Sequence, residues 1–163
     1  MELYILRHAI AVPRGTPGYP NDDRPLTDAG VAKMKKVSKG IAQVVDEIDL
    51  VFSSPLRRAY DTAVLAGETV HFGELRKTDT LLPGSSQADL VELLAQYKSK
   101  NRVMIVGHEP DLSRFAAFLL DSSDSSLAFK KGSFCRIDIT VFPPKGFGVL
   151  RWLLSPKQLR MLK

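Results

Sequence analysis

Two kinds of hydrophobic pattern alternate along the chain, and each predicts a different element. Short, mainly apolar runs are typical of buried strands, and they occur at residues 3–6, 48–52 and 103–106. Longer stretches carry apolar residues every three or four positions and predict helices, which follow Thr27, Pro55 and Asp111 and also cover residues 87–98. Strands therefore alternate with helices as far as residue 120, which favours a parallel sheet with helices on its faces.

Residues that favour helix starts precede three of these helices. Thr27 and Asp111 are each expected to cap a helix through the side-chain oxygen. Ser53 and Ser54 followed by Pro55 predict a capped start with proline in the first turn.

Loops and C-terminal strands complete the predicted fold. Prolines and glycines break residues 13–25 into a loop, and serines predict another at residues 122–126. Alternation over residues 134–142 and an apolar run at 149–154 predict two further strands. We expect a three-layer α/β/α sandwich, in which helices flank a mostly parallel central sheet and the C-terminal strands form an antiparallel pair.

Length and composition narrow the class of protein. A chain of 163 residues suits a single domain over residues 1–163. The one cysteine, Cys135, excludes a disulfide within the chain and is expected to be a small residue of a strand. No apolar run approaches the roughly 18 residues of a membrane helix, and the N-terminus lacks the pattern of a secretory signal. We expect a cytoplasmic monomer that contacts no membrane.

The net charge of +5 is unevenly distributed. Residues 130–163 carry eight basic residues and one acidic residue, whereas residues 1–129 have a net charge of −2. No run of five like charges and no known nucleic-acid-binding motif accompanies this surplus. A solvated face is therefore expected rather than nucleic-acid binding. Docking of an acidic protein partner is the alternative, which reversal of Lys157 and Arg160 would test.

Cationic and imidazole side chains follow all three predicted buried strands. Arg7 and His8 end the first strand, Arg57 and Arg58 follow the second, and His108 ends the third. Because ligands bind outside the carboxyl ends of strands in open α/β sheets, these side chains are expected to meet in one crevice. Arginine pairs with phosphate oxygens, and imidazole can attack phosphorus or hydrogen-bond developing charge. The pattern predicts a phosphoryl-transfer site.

Other chemistries find less support in the sequence. Two histidines without cysteines or carboxylates at ligand spacing make an incomplete metal site, so we expect no metal. A phosphate-binding loop and a dinucleotide fingerprint are both absent, so no cofactor is expected. His71, the third histidine, follows no predicted strand end and is expected to play no part in the chemistry.

Three motifs resemble those of the histidine phosphatase superfamily. Leu6-Arg7-His8-Ala9 is similar to the family's Arg-His-Gly, which ends the first strand. Residues 53–63 resemble the second motif, in which the arginine before alanine binds phosphate, and this points to Arg58 rather than Arg57. Val106-Gly107-His108-Glu109 resembles the motif of the second histidine. The similarity spans nearly the whole chain and is strongest to the short SixA-type phosphohistidine phosphatases.

The resemblance implies a phosphoglycerate mutase-like fold and a phosphatase that needs no metal. By position, it makes His8 the nucleophile, which is phosphorylated transiently, and Arg7, Arg58 and His108 the groups that bind the phosphate oxygens. The positive charge of Arg7, next to His8, is expected to lower the pKa of the His8 imidazole and so favour its neutral, nucleophilic form. Arg24, at the end of the proline- and glycine-rich loop, is a predicted substrate contact.

Two departures from the family pattern bear on the reaction. Ala9 stands where the family has glycine, and we expect its methyl group to be tolerated unless φ is positive. Many members use a carboxylate beyond the second motif to protonate an alkoxide leaving group, but residues 81–86, the corresponding stretch, contain none. Asp79 and Glu109 are the nearest candidates for a general acid.

The missing acid favours a substrate with a better leaving group. An alkoxide gains roughly 10²–10⁴-fold from a general acid, whereas a phosphorylated imidazole leaves readily once its ring is protonated. The leading hypothesis is a phosphatase for protein phosphohistidine, for example on a phosphotransfer domain of a signalling relay. A small-molecule phosphomonoesterase that uses Asp79 or Glu109 is one alternative. A phosphate- or phosphoprotein-binding module without turnover is another.

Overall fold

The computed structural model describes residues 1–122 and 127–162. In these ranges the strands are β1 (Glu2–Arg7), β2 (Glu47–Ile48), β3 (Leu50–Ser53), β4 (His71–Phe72), β5 (Leu75–Lys77), β6 (Arg102–Gly107), β7 (Phe134–Asp138) and β8 (Val149–Leu154). The α-helices are α1 (Asp28–Ile41), α2 (Arg57–Gly67), α3 (Gln87–Gln96), α4 (Asp111–Leu119) and α5 (Pro156–Leu159). Short 3₁₀ turns lie at Pro20–Asp22 and Asp79–Leu81.

A six-stranded sheet forms the centre of the molecule, with the strand order β5-β3-β6-β1-β7-β8. Strand β6 pairs in parallel with both β1 and β3, and β3 pairs in parallel with β5. Strands β7 and β8 form the antiparallel part, since β7 pairs with β1 on one side and with β8 on the other. The predicted mostly parallel sheet and C-terminal antiparallel pair are confirmed.

Helices cover both faces of the sheet because successive strand residues point in opposite directions. On β1, Tyr4 and Leu6 pack in the core beneath α1, α2 and α5. Leu3 and Ile5 point to the opposite face and pack in a second core with α3 and α4. All four side chains are at most 1% exposed. The predicted three-layer α/β/α architecture is therefore confirmed.

Of the three predicted helix caps, only that of Thr27 is confirmed. Thr27 Oγ1 accepts a hydrogen bond from Gly30 N, at the start of α1. The prediction for Ser54 is wrong, because α2 begins at Arg57 and the Ser54 hydroxyl instead contacts His108. The prediction for Asp111 is also wrong, because its carboxylate accepts from the Gly84 amide and makes no capping bond to α4.

Several element boundaries differ from the sequence pattern. The apolar run 48–52 is interrupted at Asp49, whose carboxylate accepts hydrogen bonds from two backbone amides, so that β2 and β3 are separate. Helix α3 ends at Gln96 rather than at 98, and the alternating stretch from 134 to 142 is a strand only as far as Asp138. Most of the predicted serine loop, residues 123–126, lies outside the described residues.

The structure also bears on the expectations for the cysteine and for membrane-spanning helices. Cys135 is fully buried on β7, and burial raises the pKa of its thiol to about 12. The thiol is therefore a protonated core residue at neutral pH. Across the described parts of the chain, no helix combines the length and the apolar character needed to cross a membrane.

Candidate active site

The carboxyl ends of β1, β6 and β3 lie side by side, as the strand-end pattern predicts. Two backbone bonds extend the pairing beyond the strands, from His8 N to Gly107 O at 3.1 Å and from Ser54 N to Val106 O at 2.9 Å. The rings of His8 and His108 are neighbours, with centroids 5.1 Å apart and planes tilted by 53°. Both rings are buried, with 7% and 4% of each residue exposed.

His8 is held so that one ring nitrogen is available for chemistry. Its Nδ1 lies 2.7 Å from Ala9 O, and because a carbonyl oxygen only accepts hydrogen bonds, Nδ1 must carry the proton. Burial lowers the pKa of His8 to about 3; the Ala9 hydrogen bond opposes the shift, and the charges of Arg58, Arg7 and Lys131 add to it. The ring is thus neutral near pH 7, and Nε2 keeps its lone pair. The predicted effect of Arg7 has the right sign but is smaller than that of burial.

Ala9, which departs from the family glycine, fits its position. It is not among the residues with positive φ, and it is 4% exposed. Its amide donates to Thr62 Oγ1 at 2.9 Å, and the Thr62 hydroxyl donates to Arg58 O. The condition on φ under which the extra methyl group is expected to be tolerated is therefore met, and Thr62 joins the segment after β1 to α2.

His108 is positioned by a serine on the neighbouring strand end. Its Nε2 lies 2.9 Å from Ser54 Oγ, which also accepts a weak 3.4 Å bond from Leu56 N. Its Nδ1 is buried without a hydrogen-bond partner. Burial and, after it, the charge of Arg58 lower the pKa of His108 to about 3. This ring is also neutral near pH 7.

The two consecutive arginines at the start of α2 have different environments, as the resemblance implies. Arg57 is exposed and pairs with Asp61 at 3.6 Å. Arg58 is only 3% exposed; its Nη1 donates to Asp22 O at 2.6 Å and its Nη2 to Asp22 Oδ2 at 2.9 Å. Arg58 is therefore the arginine that the fold places inside the site.

Arg7 lies on the other side of His8. Its Nη1 donates to Phe129 O, and its Nε is buried without a partner. Burial lowers the pKa of its guanidinium, while the charge of Glu109 opposes that shift. The guanidinium nevertheless stays charged at neutral pH, since arginine titrates far above this range.

Three buried side-chain nitrogens in the described residues lack a hydrogen-bond partner, and all belong to the predicted site: Arg7 Nε, Arg58 Nε and His108 Nδ1. Buried polar atoms are nearly always paired in folded proteins. Two of these three are obligate donors on cations. The arrangement therefore suits an anion with several acceptor oxygens.

The loop before α1 reaches the site through Asp22 and Arg24. Asn21 and Asp22 adopt left-handed backbone conformations, with φ of 59° and 60°. Asp22 Oδ1 accepts from Arg24 Nε at 2.7 Å, while Oδ2 binds Arg58. Burial opposes ionisation of Asp22, but the Arg24 hydrogen bond and the charges of Arg58, Arg24 and Arg14 lower its pKa. Arg24 lies beside the site, and its contact with substrate stays a prediction.

The two general-acid candidates occupy different environments. Asp79 is exposed in a 3₁₀ turn. Glu109 is half-buried and influences Arg7 electrostatically, but its Oε1 accepts from Ser113 N at 3.1 Å. Either role stays a prediction.

A pocket of about 250 Å³ opens beside His108. Residues 81–86, the stretch without a carboxylate, contribute to its wall together with Asp111. Asp111 Oδ2 accepts from Gly84 N at 2.8 Å, which ties this stretch to α4. The pocket has the position that a leaving group bound next to His108 would need.

Three residues near the site were not predicted from the sequence to belong to it. Asp22 is hidden in an irregular loop, Ser54 has the pattern of a helix cap, and Lys131 belongs to the basic C-terminal segment. Burial and the charges of Arg7, Arg24 and Arg58 lower the pKa of Lys131, which places it next to these arginines. Only the strand-end position of Ser54 offered a signal in the sequence. As for metals, residues 1–122 and 127–162 contain no cluster of three or more potential ligands among His, Cys, Asp and Glu.

Comparisons with known proteins agree with this geometry. Residues 3–82 match the family model described as histidine phosphatase superfamily (branch 1). An uncharacterised protein of Picosynechococcus is 32% identical over 119 residues, which are 71% of each chain. The chain belongs to the histidine phosphatase superfamily.

Solved structures of this superfamily share the fold at low sequence identity. The protein histidine phosphatase SixA, in complex with tungstate, is 21% identical with a TM-score of 0.83, and the match covers 98% of this chain and 99% of SixA. Mycobacterial glucosyl-3-phosphoglycerate phosphatase, in complex with VO₃, is 20% identical with a TM-score of 0.70 over 94% and 99% of the two chains. Since these relatives have different substrates, the fold alone does not select one.

Proposed function

We propose that this protein is a phosphohistidine phosphatase, which removes the phosphoryl group from a histidine of a protein substrate through a phosphorylated His8. The observation that carries the proposal is the set of three unpartnered nitrogens on Arg7, Arg58 and His108 around a neutral His8. A phosphoryl group supplies the acceptor oxygens that these nitrogens lack, while Nε2 of His8 has the lone pair that attacks phosphorus.

The bound anion also selects the protonation state of His108. A phosphoryl oxygen only accepts hydrogen bonds, so binding at Nδ1 requires that Nδ1 carry the proton. Nε2 then accepts from the Ser54 hydroxyl, which lies 2.9 Å away. Ser54 is thereby a positioning residue that holds His108 as a donor toward the phosphate.

The reaction has two displacements at phosphorus. In the first, His8 Nε2 forms a bond to phosphorus as the bond to the substrate imidazole breaks, and the substrate leaves as a neutral ring once its other nitrogen is protonated. In the second, the oxygen of a water molecule forms a bond to phosphorus as the bond from phosphorus to His8 Nε2 breaks; His8 leaves as the neutral imidazole, and the proton lost by the water passes to bulk solvent as inorganic phosphate is released. Arg7 and Arg58 stabilise the charge on the phosphoryl oxygens in both steps, where positioning and positive charge dominate catalysis.

The choice of phosphohistidine over an alkyl phosphate follows from the leaving group. Residues 81–86 line the pocket beside His108 without a carboxylate. An alkoxide would need a proton from such a group, whereas a protonated imidazole needs none.

A small-molecule phosphomonoesterase is the second candidate, and one observation favours it. Asp111 lines the same pocket, so a carboxylate does lie beside His108 in space although not in the expected stretch. If Asp111, Asp79 or Glu109 acts as a general acid, its amide variant should lose activity on alkyl phosphates while keeping activity on phosphohistidine. A binding module without turnover would instead retain phosphate and release none.

Trapping by rapid quenching in an alkaline denaturant, in which phosphohistidine is stable, tests the proposed intermediate. Incubation with ³²P-phosphohistidine protein should leave an acid-labile, alkali-stable label on the wild type, and His8→Ala should abolish it. His71→Ala is the matched control, because His71 is exposed on β4 and lies outside the site. Label that persists in His8→Ala, or that disappears in His71→Ala, would contradict the assignment of the nucleophile.

A substrate panel tests the specificity. Phosphohistidine protein, phosphoserine peptide, a sugar phosphate and an aryl phosphate should be compared by kcat/KM. We expect phosphohistidine protein and the aryl phosphate, which have good leaving groups, to exceed the two alkyl phosphates by about 10²-fold or more. Comparable values for the sugar phosphate and phosphohistidine would favour the phosphomonoesterase.

The proposal includes three further properties. We propose that turnover needs no metal, so activity should survive EDTA treatment. We propose that the protein acts as a monomer, which sedimentation at assay concentrations would measure. We also propose a cytoplasmic location, which fractionation of the source cells would test.

A further inference from the structure

A strongly cationic cleft adjoins the candidate active site. Its volume is about 560 Å³, and six lysine and arginine residues contribute to its lining: Arg7, Lys33, Lys130, Lys131, Lys157 and Arg160. They come from β1, α1, the segment before β7, and α5 with its C-terminal cap. Among the residues that the structure describes, no acidic side chain lines the cleft. Four separate segments of the fold thus place positive charge around one depression.

The described part of the chain provides no ion-pair partner for these charges. The chain has eleven arginines, and nine of them lie within 4.0 Å of a carboxylate. The other two, Arg7 and Arg160, form no ion pair with any described residue, and both line this cleft. Among described residues the four cleft lysines form none either. Four of the eight basic residues of the C-terminal segment therefore line this cleft without an ion-pair partner among the described residues.

The cleft is continuous with the phosphate-binding groups. Arg7 belongs to both, since it lines the cleft and its Nε is one of the three unpartnered nitrogens. Lys131 lies at the junction, because it lines the cleft and responds to the charges of Arg7, Arg24 and Arg58. The pocket on the opposite side, beside His108, contains one cation, Arg114, and one carboxylate, Asp111. The described lining of the pocket beside His108 thus has no cluster of positive charge comparable to that of the cleft.

We propose that this cleft docks an acidic surface of the protein substrate next to its phosphohistidine. The inference rests on the proposed function and names the surface that would distinguish a protein substrate from a small one. In the proposed function, the three unpartnered nitrogens bind the one phosphoryl group. Lys157 and Arg160, which are exposed and also line the cleft, are therefore available to other anionic groups. The described lining residues include no aromatic side chain on which a base could stack, which favours carboxylates over a nucleic acid strand.

A double charge reversal tests the proposal. Lys157→Glu/Arg160→Glu removes two cations of the cleft that are exposed and outside the catalytic groups. Lys98→Glu/Lys100→Glu is the matched control, since it changes the net charge equally on exposed residues that precede β6, at the end of the strand opposite to His108. Steady-state kinetics should be measured on a histidine-phosphorylated phosphotransfer domain with an acidic surface and on an aryl phosphate.

For the cleft variant we expect KM on the phosphorylated domain to rise by about tenfold, with little change in kcat, because charges at the rim of an interface act on association. Its kinetics on the aryl phosphate should stay within twofold of the wild type, and the control variant should resemble the wild type on both. Raising the salt concentration should increase KM for the domain with the wild type but much less with the cleft variant.

A binding measurement distinguishes failure of the docking proposal from failure of the proposed function. In the His8→Ala background, which cannot turn over, the phosphorylated domain should bind about tenfold more weakly when the cleft is reversed. An unchanged affinity would overturn the docking proposal, as would equal losses on the domain and on the aryl phosphate. Tighter binding of an RNA or DNA oligonucleotide than of the domain, lost in the cleft variant, would also overturn it. Failure to trap phosphate on His8 would refute the proposed function while the binding comparison still decides the docking.

Discussion

Acid should unfold this protein more readily than a variant that lacks one of its two buried histidines. Burial lowers the pKa of both His8 and His108 from 6.5 to about 3. In the unfolded chain both rings bind protons below about pH 6.5, whereas the folded protein binds them only near pH 3. The unfolded state therefore gains stability as the pH falls from 6.5 toward 3, and the free energy of unfolding decreases over that window.

The size of the effect follows from the two pKa values. One pKa unit corresponds to about 1.36 kcal/mol, so acidification from pH 7.5 to pH 5.0 costs about 2 kcal/mol for each histidine and about 4 kcal/mol for both. Because pH 5.0 lies well above the folded pKa, this figure depends almost entirely on the unfolded value. It is a large fraction of the roughly 5–15 kcal/mol that stabilises a typical domain.

Urea unfolding at pH 7.5 and pH 5.0, in buffer without phosphate, measures the effect. His8→Asn keeps a donor near the position of Nδ1, and His108→Gln keeps a polar group near the position of Nε2, so both preserve the existing hydrogen bonds. Each variant should lose about 2 kcal/mol less than the wild type on acidification. His71→Asn should lose as much as the wild type, because His71 is exposed.

The measured quantity is the pH-dependent loss of stability of the wild type minus that of each variant. Contributions from carboxylates that also titrate in this range are common to both proteins and cancel. If both variants lost as much stability as the wild type, within about 0.5 kcal/mol, the two rings would not be held neutral by burial. The argument for a neutral nucleophile at His8 would then be refuted, whatever the variants did to activity.

Three further predictions concern the phosphate-binding groups. Arg58→Ala should lower kcat/KM for an aryl phosphate by about 10²–10³-fold, whereas Arg57→Ala, its exposed neighbour, should stay within about twofold. Ser54→Ala should lower kcat by roughly fivefold with little change in KM, because it removes one hydrogen bond that orients His108; Ser53→Ala should not, since its hydroxyl bonds only to a backbone carbonyl. Inorganic phosphate at 100 times its Kd should stabilise the folded wild type by about 2.7 kcal/mol, seen as a higher Tm, and Arg58→Ala should respond far less.

The fold was predictable where burial sets the residue pattern. Leu3–Leu6 and Val103–Val106 are apolar because these strands are covered on both faces, and continuous apolar runs of this kind indicate a parallel sheet between helices. The short strands β2, β4 and β5 left no comparable pattern, since two or three residues with at least one exposed side chain carry too little periodicity. The half-buried Asp49, which accepts hydrogen bonds from two backbone amides, was enough to divide the second run.

The site was predictable only where chain position determines spatial position. Arg7, His8 and His108 follow parallel strands directly, so topology alone brings them to one edge of the sheet. Asp22 and Lys131 reach the same place through irregular segments, whose course depends on contacts between side chains distant in sequence. Ser54 shows a third case, because a serine before a proline and a helix has one interpretation in sequence and a different hydrogen-bond partner in space.

The unpartnered nitrogens explain why an anion should bind at the candidate site, where buried polar atoms lack hydrogen bonds. Each buried polar atom without a hydrogen-bond partner costs the folded state about 1–3 kcal/mol, and in the described residues such atoms lie on Arg7, Arg58 and His108. An anion that accepts from all three recovers that free energy without moving the fold, because β1, α2 and β6 already hold the donors in place. The burial that leaves these donors unsatisfied is also what keeps His8 neutral, so the same feature favours binding of the phosphoryl group and attack upon it.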